Sequence, residues 1–399
     1  MTPDRFEDEF ERPNVPVIIE GATRDWPAVR RWDRAYLSEQ TRGETFRATS
    51  GAAPLPANFT VDRYARYCDA AVEEAPLYLF DRTFADRCPR LSEDYSEALA
   101  ESCPYLDPSS SRGHDLLSAL GPRRRPDHRW LIMGPMRSGS AFHIDPNATH
   151  AWNAPVRGRK RWIFYPPGVP PPGVLPSPNG DDVAMPVSLG EWFLTYWDAH
   201  ASRMSDPDPS RRPLECTVCP GDLLFVPHGW WHAVLNLDRG ISVALTQNYV
   251  SRTNLGDVLR FLDRRPGQIS GCRDREGEAV PPERLGEEFR RALGERRPDL
   301  LEMGEREAKR GWGCKAWTDG SEGEWAIDEE VDEAAVDIRA GPGTSVLDRA
   351  RMLSHPKTTI DANAAHEVED EVGKNCGNGE IREGASPIEG GGGFSFSFL

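Results

Sequence analysis

Between residues 129 and 250 the chain alternates short apolar or aromatic runs with Gly, Pro and Asp. RWLIMG, SAFHID, HAWNAPV, KRWIFYP, DLLFVP, WWHAVLN and ISVALTQNYV are rich in β-branched and aromatic residues, and each reads as a strand. Many short strands with few helices predict a mainly β protein, a barrel or sandwich. Upstream, NVPVIIE at 14–20, followed by GATRDWPA, predicts an entry strand ending in a turn, and PLYLFD at 76–81 a second short strand. SLGEWFLTYWDAH at 188–200 predicts an inserted helix with Trp192, Phe193, Tyr196 and Trp197 on one face, a pattern that suits core packing. Beyond 262 the period changes. In PPERLGEEFRRALGERRPDLL, Leu285, Phe289, Ala292 and Leu293 recur at helical spacing behind an opening Pro, which predicts an amphipathic helix. From 320 the chain is acidic between Glu322 and Asp337, then poor in large apolar residues, then runs through Gly390–Gly393 to FSFSFL. Such a composition predicts disorder over most of 320–399. The pattern divides the chain into N-terminal strands and helices packing on a barrel (1–125), a β domain (126–262), a helical segment (263–319) and the tail.

Composition narrows the classes. The 399 residues can bury a sizeable core. The 36 Gly and 35 Pro suit a loop-rich β architecture with a tail. A formal charge of −16 disfavours a grip on a nucleic-acid backbone and suits Lys- or Arg-containing peptides. The acidic start MTPDRFEDEFERPN is not expected to be a signal peptide, and no apolar run approaches the roughly 20 residues of a membrane span. Of the eight Cys only Cys216 and Cys219 form a C-x-x-C pair, with no second pair to complete a zinc site. Scattered thiols point to a reducing, intracellular compartment.

The chemistry concentrates in the β region. In SAFHIDP, His143 and Asp145 stand two apart on a predicted strand, so both side chains project from one face. A His-x-Asp pair with one more His far downstream is the ligand set of a 2-His-1-carboxylate site, which suits non-haem Fe(II) and keeps coordination positions open. Alone, H-x-D is more often structural. The downstream partner lifts it: GDLLFVPHGWWHAVLNLD predicts a strand, a Pro-His-Gly turn and a second strand on which Trp230, His232, Val234 and Asn236 share a face. His232 is therefore the expected third ligand. The competitor His228 sits in the turn, where it is expected to face outward. In KRWIFYP, Lys160 shares a face with Trp162 and Phe164. A buried ammonium is costly unless paired, so Lys160 requires either an internal Asp or Glu or a bound anion. Thr246 and Asn248 share a face on the last strand and can supply neutral hydrogen bonds beside the metal.

HIDPNATHAWNAPVRGRKRW, VPHGWWHAVLNLD and TQNYVSRTN resemble the signatures of the JmjC oxygenases. The likeness is greatest to the lysyl hydroxylase and arginine demethylase branch first described as the phosphatidylserine receptor. The flanks PNVPVIIEGATRDWPA, PLYLFD and RRRPDHRWLIMGPMRSGS agree, and the resemblance covers about 12–265. It implies a double-stranded β-helix, the cupin-like jelly roll, over 126–262, with helical additions. It also implies Fe(II), 2-oxoglutarate and O₂ as cofactors. By the same resemblance His143, Asp145 and His232 match the iron ligands and Lys160 the residue that pairs with the 2-oxoglutarate carboxylate. Tyr78, Asn153 and Thr246 match further cosubstrate contacts, and Ser140 stands where the family has Thr. The stretch from His232 to Thr246 is two residues longer than the family pattern, and the long serine-rich, basic tail of the animal protein is missing.

The implied activity is hydroxylation of a protein side chain, lysyl C-5 foremost, with release of succinate and CO₂. The alternatives are N-methyl demethylation by the same chemistry, an RNA-modifying oxygenase (opposed by the charge), and a non-catalytic binding module (opposed by the complete ligand set). A cupin isomerase would not need Lys160. Trp152, Trp162, Trp230 and Trp231 suit an apolar wall, although each also reads as ordinary core. Loop 166–187 is the expected place for substrate selectivity and the helix at 282–294 a candidate dimerisation element. The resemblance favours the nucleus, with the cytoplasm as the alternative.

Overall fold

The computed structural model describes residues 1–316 except 51–52, 104–105, 107–114, 178–179, 181, 275–276 and 315. The expected disorder of 320–399 falls outside the described residues. Fourteen strands form among the described residues. The first four are β1 (Val17–Ile19), β2 (Phe46–Ser50), β3 (Ala53–Phe59) and β4 (Tyr78–Asp81). The β-rich region then supplies β5 (Arg129–Gly134), β6 (Gly139–His143), β7 (His150–Arg157) and β8 (Lys160–Tyr165). A two-residue pair, β9 (Leu175–Pro176) and β10 (Val183–Ala184), lies in the long loop. The series ends with β11 (Leu214–Val218), β12 (Leu223–Val226), β13 (Trp231–Asn236) and β14 (Ser242–Tyr249).

Two antiparallel sheets carry the fold. The larger has the order β1-β12-β7-β14-β5-β4-β2-β3 and the smaller β11-β8-β13-β6. From β5 onward, neighbours in these two sheets are non-consecutive in sequence, as in a jelly roll. The first 125 residues add strands to the larger sheet itself, β1 at one edge and β4, β2 and β3 at the other.

Strand alternation separates two cores. Leu131, Met133, Trp152, Ala154, Leu223, Phe225, Val243 and Leu245 point away from the smaller sheet and pack with Trp26, Trp32, Tyr64, Phe84 and Leu91 of the N-terminal helices. Their neighbours Ala151, Leu224 and Val226 turn the other way and meet Trp162, Phe164, Trp230 and Val234 between the sheets. Strands so enclosed on both faces read as continuous apolar runs, which is why KRWIFY and LLFV lack the half-buried alternation. A third cluster holds Leu255, Val258, Leu259 and Leu262 of the helix Leu255–Arg264 against Leu285, Phe289 and Leu293 of the helix Pro282–Arg296. The amphipathic spacing foresaw these last burials.

The long aromatic helix is not continuous. It divides into Leu189–Thr195 and Trp197–Arg203, with Tyr196 at φ −114° as the joint. Trp192 leaves the first helix to cover Phe142, its ring 4.8 Å away. The break lets His200 reach inward to Tyr165 and Glu215 at 2.6 and 2.7 Å.

Candidate metal and cosubstrate site

His143 ends β6 and His232 lies on β13, directly opposite it in register. Their ring centroids are 4.2 Å apart. A register shift between His232 and Val234 brings the strands close, and at Gly139 a Cβ would collide with the Val234 carbonyl oxygen, so only glycine fits that position. Asp145 stands beyond the strand end. The expected shared strand stops at His143, and Asp145 opens the short turn Pro146–Ala148. That turn places Asn147 and Ala148 at φ 57° and 53°, in the left-handed region. It is tied down by reciprocal hydrogen bonds between Asn147 and Ser270 (2.9 and 3.0 Å) and by Asn254 Nδ2 donating to the Ala148 carbonyl at 3.0 Å. Ligand atoms of His143, Asp145 and His232 lie within 4.8 Å of one another.

Each imidazole is oriented by its own strand. His143 Nδ1 donates to the Ala141 carbonyl at 2.8 Å and His232 Nδ1 to the Trp230 carbonyl at 3.0 Å. A carbonyl only accepts, so the proton sits on Nδ1 and the Nε2 lone pair is left for a metal. Burial holds His232 well below the usual histidine range, the neighbouring His143 adding to the effect. Desolvation pushes Asp145 up, opposed by His143 and by a hydrogen bond with Asn248. Two imidazoles and one carboxylate are the donor set that a divalent cation requires.

Lys160 begins β8 and pairs in register with Asn236 of β13. It is only 1% exposed, yet its Nζ contacts the Tyr78 hydroxyl at 2.9 Å, and among the described residues no carboxylate forms an ion pair with it. The internal Asp or Glu left open by the sequence is not found among the described residues, and burial alone brings Lys160 down to about 7. Burial pushes the Tyr78 hydroxyl up, with Asn236 as its hydrogen-bonding neighbour. Asn236 in turn donates to Ser138 Oγ at 2.9 Å. Asn153 Oδ1, Asn236 Oδ1 and Trp162 Nε1 are buried with no hydrogen-bond partner among the described residues. A desolvated ammonium beside orphaned polar atoms is a cradle for a polar, anionic guest, since each such group costs free energy unless a ligand satisfies it.

The remaining candidates divide. Thr246 lies opposite Asn153 and Trp130, but its hydroxyl donates to the Trp152 carbonyl at 2.8 Å, so it can offer a guest only its lone pairs. Asn248 donates to Thr149 Oγ1 at 2.8 Å and meets Asp145, which places it behind a ligand. Ser140 is half-buried opposite Val234.

His228 is a correction. The Pro-His-Gly turn was expected to expose it. Instead it is 5% exposed, and its Nε2 meets Asp257 Oδ2 at 2.8 Å. Its backbone N–H donates to His150 Nδ1 at 3.1 Å, and Asp257 also receives the Gly313 N–H at 2.6 Å. The helix Leu255–Arg264 and the 313–314 segment cover the turn. Neither partner is visible from the turn's own sequence.

A family model described as a cupin-like domain matches residues 3–254. The chain belongs to the cupin-like JmjC family. It is 42% identical over 306 residues to Arabidopsis thaliana "Arginine-specific demethylase JMJ22", 76% of this chain and 54% of that one. It is 34% identical over 307 residues to Caenorhabditis elegans "Bifunctional arginine demethylase and lysyl-hydroxylase psr-1", 76% of this chain and 68% of that one. Human "2-oxoglutarate and iron-dependent oxygenase JMJD4" is 35% identical over 137 residues, 34% of this chain and 30% of that one. The match spans about half of the Arabidopsis relative. The family and the donor set agree on iron and 2-oxoglutarate as the cofactors, since relatives are named for both and His143, Asp145 and His232 can hold the metal.

Proposed function

We propose that this protein is an Fe(II)- and 2-oxoglutarate-dependent oxygenase of protein side chains, acting on lysyl C-5. The observation that carries the reading is Lys160: a fully buried ammonium with no acid paired to it among the described residues, on the strand beside that of His232. When bound, iron, 2-oxoglutarate and O₂ supply an oxidant for unactivated C–H bonds and release succinate and CO₂.

The chain's own residues divide the work. His143, Asp145 and His232 hold the cation, with the Ala141 and Trp230 carbonyls fixing the imidazoles. Lys160 and the Tyr78 hydroxyl receive the distal carboxylate, the partner that lets the lysine stay charged. Trp162, Phe164 and Trp230 wall the space between the sheets and exclude water. A protein substrate carrying Lys or Arg suits the net charge of −16 and the activities named for psr-1.

N-methyl demethylation is the second reading, supported by the name of JMJ22. Mass spectrometry of lysyl and methyl-arginyl peptides after incubation with Fe(II), 2-oxoglutarate and O₂ tests both. A peptide that gains one oxygen supports hydroxylation, and loss of a methylene with formaldehyde supports demethylation. Iron bound at one equivalent with no succinate under any condition defeats both.

A further inference from the structure

A cavity of about 280 Å³ opens where the turn Leu116–Leu120, the end of β4, the start of β5 and the segment after the helix Leu255–Arg264 meet. Arg82, Arg125, Arg129 and Arg273 line it, with His128, against the two carboxylates Asp86 and Asp127. On a chain of net charge −16, this is a local excess of positive charge.

The two kinds of acid in the cavity are held differently. Asp127, 8% exposed, receives Arg273 Nε at 2.6 Å and lies 3.2 Å from Arg82. Behind it, the buried Arg125 is fixed by Asp115 at 2.7 Å. These contacts set the directions of the guanidinium groups. Asp86 lies 3.6 Å from both Arg129 and Arg273, beyond hydrogen-bond range, with its side chain 59% exposed. A loosely held carboxylate therefore marks the place where an oxyanion with better geometry would sit. Each guanidinium presents five N–H donors in a planar fork, and that fork matches phosphoryl oxygens as it matches carboxylates.

The cavity shares its walls with the metal site. The His128 carbonyl accepts the Asn248 N–H at 2.6 Å, and Asn248 meets Asp145. Asp127 N–H donates to Gly271 at 2.9 Å, next to Ser270, which grips Asn147 of the Asp145 turn.

We propose that this cavity binds a phosphoryl oxyanion, as free phosphate or as a phosphorylated side chain of a protein. The second source rests on the reading of the triad as a protein-modifying centre; the first does not. A polynucleotide is disfavoured, because the net charge of −16 repels a phosphate backbone.

The test is calorimetry and thermal unfolding of the full chain titrated with sodium phosphate against chloride at matched ionic strength. Saturable binding is expected, weakened about tenfold or more in Arg82→Gln with Arg273→Gln, since charge-assisted contacts are lost. Asp86→Asn should bind phosphate more tightly, because it removes the competing carboxylate. Arg82→Gln alone, at a side chain 43% exposed, serves if the double variant does not fold. Paired serine and phosphoserine peptides distinguish the sources. A phosphopeptide that binds more tightly than phosphate and is displaced by it assigns the site to a protein; equal binding of both peptides assigns it to the free anion. Absence of saturable binding, or binding unchanged in the arginine variants, overturns the proposal. So does binding lost in Lys160→Met, which would put phosphate in the lysine pocket. None of these readouts needs turnover, so an inactive oxygenase and a vacant cavity are separable results.

Discussion

Replacing Lys160 by Met keeps the length of the side chain and removes its charge, so the free protein should become more stable while losing its cosubstrate. In the folded chain burial brings the lysine from 10.5 to about 7, a difference of about 5 kcal/mol at 1.36 per pH unit. The sign follows from proton counting. Between about 7 and 10.5 the unfolded chain holds the proton and the folded chain does not, so this group makes stability rise with pH across that window and reach its minimum below it. At pH 7 the methionine variant escapes nearly the whole penalty. It loses the hydrogen bond to Tyr78, about 1 kcal/mol, and trades one polar atom for sulfur. The net expectation is a gain of about 3 kcal/mol, or roughly 5–10 °C in Tm for a chain of this size. The gain should vanish toward pH 10. With 2-oxoglutarate the order reverses, because the wild type gains a charge-assisted contact worth a KM lower by about 10- to 100-fold. Differential scanning calorimetry of both proteins across pH, with and without 2-oxoglutarate, measures this, and succinate assays give KM. A methionine variant that is less stable when free and still binds 2-oxoglutarate would show that Lys160 serves the fold alone.

Asp145→Ala and His232→Ala should each abolish the Fe(II)- and ascorbate-dependent conversion of 2-oxoglutarate to succinate while leaving metal-free unfolding nearly unchanged; retained turnover in either removes that residue from the ligand set. Asn248→Ala should weaken iron binding about 10- to 100-fold by freeing Asp145, read by Fe(II) titration, and an unchanged affinity would show that Asn248 acts elsewhere. His228→Ala takes one hydrogen bond from the buried Asp257, which keeps the Gly313 N–H, and a lost buried hydrogen bond costs about 1–3 kcal/mol; a Tm within a degree of wild type would show that the contact contributes nothing.

Much of this site was legible in the chain. Strand parity put His232 on the inner face with Val234 and Asn236, and the same parity aligned Lys160 with Trp162 and Phe164. These inferences are local, since alternation depends only on backbone geometry over a few residues. The helix at 282–296 was equally local, its four apolar positions all buried. Asp145 was reached by motif, although the strand expected to carry it ends two residues earlier, and the Asn147–Ser270 contact fixes the turn instead.

Three features belonged to the tertiary structure. The fate of His228 was set by Asp257, 29 residues on, and by Gly313. A turn that looks exposed beside its neighbours in sequence is buried once a helix and a later segment pack on it. The four arginines of the cavity come from three stretches, around 82, 125–129 and 273, and no spacing brings them together. Lys160 shows the limit most clearly. The sequence determined that the ammonium would be buried, and hence that it needed an anion. Whether that anion was a side chain or a ligand depended on every acidic residue in the fold, because ion pairing is decided by distance in space, which the chain acquires only when its sheets close.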